Sequence, residues 1–187
     1  MDYVRKVVEV VMKENYIEFD NYLMRLIKVS DTDQYFKYVF KESDDEANYY
    51  TGTIGSFTKE QIVSYVQGIV ENKMRYDFII FCESKIVGEV VLSNIERNTC
   101  HYRICIYKKE NFSKGIGFKA TKEVLKFAFE ELELESVELE VFPFNERGIA
   151  LYKKMGFEMV DELVDEEAEE PYRNIYTMRL INENFLY

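Results

Sequence analysis

Between two strand-like runs, His101–Tyr107 and Val137–Phe142, the chain reads Lys108-Lys109-Glu110-Asn111-Phe112-Ser113-Lys114-Gly115-Ile116-Gly117. An apolar stripe at helical spacing follows: Ala120, Val124, Leu125, Ala128 and Leu132. Strand, loop, helix and strand in that order make a βαβ unit, whose two strands run parallel. A helix start offers unpaired N–H groups and the positive end of the helix dipole. Glycine lets an anion approach the backbone with no Cβ in the way, and Lys114 adds a charged donor. Ser113, Lys114, Gly115, Ile116 and Gly117 are therefore expected to hold a phosphate or pyrophosphate.

Upstream of this unit the periodicity is different. Tyr76–Cys82, Ile86–Ile95 and His101–Tyr107 are strand-like and separated by gaps short enough for hairpins, which predicts an antiparallel meander. Tyr22–Val29 is read as a strand, and Asp31 or Asp33 as the cap of a short helix carrying Tyr35, Phe36, Val39 and Phe40. Residues 41–57 are read as loop. Thr58 and Gln61 form a capping box ahead of the stripe Ile62, Val66, Ile69, Val70 and Met74. Beyond the βαβ unit a second helix, Asn145 to Met155, and a strand pair, Phe157–Val164 and Tyr172–Leu180, complete the chain. The fold class is α/β with a mixed sheet. Val4, Val7, Val8 and Val11 share one helical face, so residues 1–17 are read as an N-terminal helical extension that permits a homodimer, and 18–187 as the domain.

Composition narrows the function. The chain has 187 residues and a net charge of −11, which argues against a general nucleic-acid binder, since phosphate contacts need a basic face. Cys82, Cys100 and Cys105 lack CxxC spacing, and there is one histidine, His101. Reduced thiols in a cytoplasmic protein and no metal site are expected. No apolar stretch approaches the ~18 residues of a membrane span.

Gly115-Ile116-Gly117 with Ala120 matches the spacing of a dinucleotide fingerprint. The loop from the strand to Gly115 is too long for that fold's tight turn, Glu138 and Glu140 alternate as solvent-facing strand residues would, and no second mononucleotide half exists. Asn145-Glu146-Arg147-Gly148-Ile149-Ala150-Leu151-Tyr152-Lys153-Lys154-Met155-Gly156-Phe157 decides the matter. It opens on an N-cap residue and closes on a C′ glycine.

Together the two segments resemble the GNAT superfamily of acyl-CoA-dependent N-acetyltransferases. That family's phosphate loop reads Gln/Arg-x-x-Gly-x-Gly/Ala, and its later helix Asn-x-x-Ala-x-x-Leu-Tyr-x-x-x-Gly-Phe. The chain is most similar to the branch with ribosomal-protein N-terminal and spermidine acetyltransferases. Two positions depart from the pattern. Phe112 replaces a polar residue, and Gly148 replaces alanine at a helix cost of up to about 1 kcal/mol.

The resemblance implies acetyl-CoA lying between splayed parallel strands. Its pantetheine arm would meet the backbone around Ile104 and Ile106 and the side chain of Asn145, and its pyrophosphate the amides of Ser113 to Gly117. Lys114 or Lys119 would face the 3′-phosphate. Direct acyl transfer to a primary amine then needs three groups. A base must take the ammonium proton, since neutralising a lysine-like amine at pH 7 costs roughly 4–5 kcal/mol. Glu89 is the first choice for it and His101 the second, with water as the remaining route. An N–H on the strand Ile104–Tyr107 must receive the oxyanion. A phenol must protonate the leaving thiolate, and Tyr152 occupies the family's general-acid position.

The acceptor is a polyamine, a peptide N-terminus or a small amine. Eight acidic residues and no basic one lie between Met155 and Tyr172, which reads either as a solvated hairpin or as a trap for a cationic acceptor. The alternative to an enzyme is a catalytically silent acyl-CoA-binding regulatory module.

Overall fold

The computed structural model describes residues 16–52 and 55–186; the expected helix in 1–17 lies outside them, save Tyr16 and Ile17. One eight-stranded sheet runs in the order β1-β2-β3-β4-β5-β6-β8-β7. Its strands are β1 (Ile17–Phe19), β2 (Tyr22–Leu26), β3 (Tyr76–Cys82), β4 (Lys85–Glu96), β5 (Thr99–Ile106), β6 (Ser136–Val141), β7 (Glu158–Val164) and β8 (Asn174–Ile181). β1 starts one residue ahead of the expected domain boundary. The meander is confirmed, and its hairpins turn on Glu83-Ser84 and Arg97-Asn98, all four residues at positive φ. Such two-residue turns match the twist of the strands they join.

The helices are α1 (Thr32–Tyr35, extended by a π turn over Phe36–Lys41), α2 (Asp45–Thr51), α3 (Lys59–Glu71), α4 (Ile116–Lys126, extended by a π turn over Phe127–Glu131) and α5 (Glu146–Lys154). α2 corrects the reading of 41–57 as loop. Asp45 and Glu46 favour its first turn, and Gly52 ends it at φ +64. It buries little besides Ala47, so the segment carries no apolar stripe. The capping box at α3 is as expected, Gln61 N–H donating to Thr58 Oγ1 and Thr58 N–H to Gln61 Oε1. β2 stops at Leu26, short of the expected Val29. Asp31 does not cap α1. Its carboxylate accepts two guanidinium bonds from Arg25, at 2.7 and 2.8 Å, and one from the Lys28 amide.

The sheet separates two cores. On one face α4 sets Ile116, Ala120, Val124 and Leu125 against Met24, Phe78, Ile80, Val90, Leu92 and Tyr102. On the other, Tyr35 and the α3 residues Ile62, Val66 and Ile69 cover Ile79, Phe81, Ile86, Cys105 and Tyr107. Covering on both sides makes β3 a nearly continuous apolar run. Each such aliphatic or aromatic side chain stabilises the fold by about 1.5–3 kcal/mol on burial.

β7 is the far edge of the sheet and is exposed throughout. Glu158, Asp161 and Glu162 lie along it, and charge on an edge strand opposes pairing with another chain. Among the described residues no helix is long and apolar enough to cross a membrane.

Candidate active site

β5 and β6 pair in parallel for only three positions, Thr99↔Ser136, Cys100↔Val137 and His101↔Glu138. Beyond them the strands part. β5 remains bound to β4 through Ile106↔Gly88, and β6 to β8 through Val141↔Tyr176. The fork opens a cleft of about 540 Å³. Ile104 and Ile106 line one wall, Val141 and Phe142 the other, and Ser113, Gly115, Ile116 and Gly117 the end beside α4. Past His101 the β6-facing edge of β5 has no strand partner, so its backbone polar groups are available to an extended ligand.

The start of α4 has the backbone features of an anion site. Ser113 and Gly115 both have positive φ, +60 and +78, a local fold that turns successive amides toward one point. Gly115 holds the N-cap position and gives no side-chain cap, unlike Thr58 at α3 and Asn145 at α5. The first-turn N–H groups of α4 therefore keep their donors for a ligand. Lys114 is exposed and does not line the cleft. Lys119 is held by Asp20 at 2.6 Å.

Tyr152 reaches the cleft from the last turn of α5. The Phe157 amide donates to the Tyr152 carbonyl at 3.0 Å and the Gly156 amide to Lys153 at 3.1 Å, a Schellman closure with Gly156 at φ +94. The Phe157 ring packs on the Tyr152 ring at 5.9 Å, and Tyr102 stands edge-on at 6.1 Å. The Gly-Phe pair of the motif thus positions the tyrosine. Burial pushes the Tyr152 hydroxyl above its ordinary pKa, and Cys105 adds to the shift. At the other end of α5 the Gly148 amide donates to Asn145 Oδ1 at 2.9 Å. A Cβ at Gly148 would fall 2.8–2.9 Å from the Asn145 side chain, so glycine lets the cap close. A Cβ at Gly156 would meet Asn184 O and Leu180 Cδ1 at 3.2 Å. Gly156→Ala should therefore cost roughly 1–2 kcal/mol, read as a lower melting temperature, and lower kcat as Tyr152 shifts.

A second cavity of about 520 Å³ lies on the opposite face of the sheet, under α1 and α3. Thr51, Arg75, Arg103 and Cys105 line both spaces, so the fork joins the two faces. Glu89, 2% exposed, lines the second cavity. Its Oε1 meets an Arg103 guanidinium nitrogen at 2.6 Å, and its Oε2 accepts the Tyr35 hydroxyl at 2.7 Å. His101 is exposed, at the closed end of the fork. The Tyr107 amide donates to Val87 O, and two residues back in the same antiparallel register the Cys105 amide faces Glu89 on β4, which removes both from the expected oxyanion donors and leaves Ile104 and Ile106.

The sequence profile of the Acetyltransferase (GNAT) domain matches residues 21–158. The chain belongs to the GNAT acetyltransferase family. It is 27% identical over 103 residues to Acetyltransferase PseH of Campylobacter jejuni, covering 55% of this chain and 64% of that protein. To spermidine N(1)-acetyltransferase of Escherichia coli it is 31% identical over 113 residues, 58% of this chain and 60% of that one. The matched stretches thus span about three-fifths of these relatives. Among solved structures, a Vibrio cholerae spermidine N-acetyltransferase in complex with CoA and spermine superposes with a TM-score of 0.77 at 18% identity, over 89% of this chain and 99% of that one. A Vibrio fischeri ribosomal-protein-S5-alanine acetyltransferase gives 0.74 at 20%, over 93% and 100%. At these identities the likeness is one of fold, and it agrees with the expected mixed sheet.

In this GNAT chain sequence reasoning missed Arg147, two residues into the motif helix. Its guanidinium lies 3.9 Å from the centre of the Phe112 ring, contacts Glu46 at 3.3 Å and lines the cleft. It brings a positive charge beside the residue where the family pattern has Gln or Arg. No acidic residue of 158–170 lines either cavity.

Proposed function

We propose that the chain moves an acetyl group from acetyl-CoA directly to a primary amine. The observation that carries this reading is the fork. It offers an unpaired strand edge, an uncapped helix start and a buried tyrosine around one cleft. The cleft suits a long ligand with a diphosphate at one end. The Ser113–Gly117 amides hold the diphosphate, and Ile104 and Ile106 hold the pantetheine arm. Asn145 keeps its amide nitrogen for that arm while its oxygen caps α5.

The amine arrives from the second cavity through the opening that Arg103 and Cys105 share. Glu89, the one carboxylate among the described residues lining that cavity, takes the ammonium proton. The freed nitrogen pair then bonds to the acetyl carbonyl carbon, and the amide N–H of Ile104 or Ile106 receives the oxyanion. When the tetrahedral centre collapses the carbon–sulfur bond breaks. The sulfur leaves with the bond pair and takes its proton from Tyr152, and the second proton that the amide nitrogen sheds restores the phenol. No covalent enzyme intermediate is needed. Burial pushes the Cys105 thiol up to about 12, as it does the Cys100 thiol, so neither is a ready nucleophile.

The direct test is release of CoA thiol from acetyl-CoA with a panel of primary amines. Amine-dependent release supports the reading. Binding of acetyl-CoA with no release for any amine favours a silent acyl-CoA-binding module.

A further inference from the structure

The second cavity carries information about the acceptor that its place beside the cleft does not. Its charge is balanced. Arg103 is paired with Glu89, and Arg75 is held by Asp77 through two bonds of 2.6 and 2.8 Å. Asp77 and Glu89 are each about 2% exposed. A polyamine would bring, beyond its reacting nitrogen, further charges into a space whose carboxylate is already engaged, and burying an uncompensated charge is costly. The walls are aromatic. Phe40 packs on Tyr35 at 5.7 Å and on Phe57 at 5.0 Å, and Tyr65 stacks on Tyr35 at 6.4 Å. Such faces, negative at their centres, receive the C–H bonds on one face of a puckered saturated ring.

One polar atom in this wall is unanswered. Tyr107 is 3% exposed and lines the cavity, and its hydroxyl is buried without a hydrogen-bond partner. Buried polar groups in folded proteins are nearly always paired, so this hydroxyl points to a polar group on whatever fills the space. Asn48 and Gln61 add side-chain amides to the same lining. The volume, about 520 Å³, lies within the ~300–1,000 Å³ of small-molecule sites.

Resting on the acetyl-transfer reading, we propose that the acceptor is a compact hydroxylated ring bearing a primary amine, of the amino-sugar class. Tyr107 hydrogen-bonds a ring substituent and sets specificity. The acidic residues of 158–170 take no part, since none lines the cavity.

The experiment compares three amines at saturating acetyl-CoA: glucosamine, spermidine, and cyclohexylmethylamine, which keeps a ring and an amine but no hydroxyl. Glucosamine should show a kcat/KM at least tenfold above either of the others. In Tyr107→Phe its KM should rise about tenfold with little change in kcat. The melting temperature should hold or rise, because the variant deletes only an unpartnered oxygen. Faster turnover of spermidine, or a Tyr107→Phe enzyme with the wild-type KM for glucosamine, overturns the assignment and leaves the acetyltransferase reading standing. A protein that binds no acetyl-CoA and acetylates none of the three overturns that reading itself.

Discussion

Replacing Tyr152 by Phe should lower kcat by about 10²–10⁴-fold, the usual contribution of a positioned proton donor, with acetyl-CoA affinity unchanged. The substitution removes one oxygen and keeps the ring that packs between Tyr102 and Phe157. An ordinary phenol ionises near ~10 and a thiol near ~8.5. Burial moves the Tyr152 hydroxyl further up, so it stays protonated through neutral and mildly alkaline pH. Wild-type activity should therefore show no loss from Tyr152 ionisation below about pH 10. Single-turnover kinetics with a fixed amine checks both points. A Tyr152→Phe enzyme with the wild-type rate removes the general acid from the scheme.

With a lysine-like alkylamine as acceptor, Glu89→Gln should slow acetylation at pH 7 by about 10²-fold or more, and the defect should shrink as pH approaches that amine's own pKa near ~10. Above that pH the acceptor arrives already neutral and needs no base. The fold should survive. Glutamine still accepts the Tyr35 hydroxyl, and the Arg103 side chain, 44% exposed, can turn to water. The pH profile is the informative readout. A defect of constant size across pH assigns Glu89 to holding Arg103 and Tyr35 in place, not to proton transfer.

Much of this was legible because local chemistry and global fold agree. The meander followed from strand-like runs separated by gaps of three and five residues, which the longer observed strands narrow to the turns Glu83-Ser84 and Arg97-Asn98. The fork followed from the motif, whose Gly156-Phe157 close proves to be the device that seats Tyr152. α2 was not legible because its seven residues present only Ala47 to the core. The second cavity was not legible either. Its wall is drawn from Tyr35, Tyr65, Glu89, Arg103 and Tyr107, on separate elements and at no common spacing. Glu89 could be picked out as a carboxylate on the middle strand, but its pairing with Arg103 and Tyr35 depends on register and on a helix folded across the sheet. Arg147 was hidden differently. It sits inside the recognised motif, yet its tie to Phe112 becomes visible only when α5 packs beside the phosphate loop.

Everything depends on the amides ahead of Phe118 holding a diphosphate. Calorimetric titration of acetyl-CoA into the wild type and into Ser113→Glu tests this most directly. Ser113 is exposed, so the variant places a carboxylate at the loop without touching the core. Saturable one-site binding to the wild type, and little or none to the variant, is the expected result. A wild type that gives no binding, or a variant that binds as tightly, contradicts it.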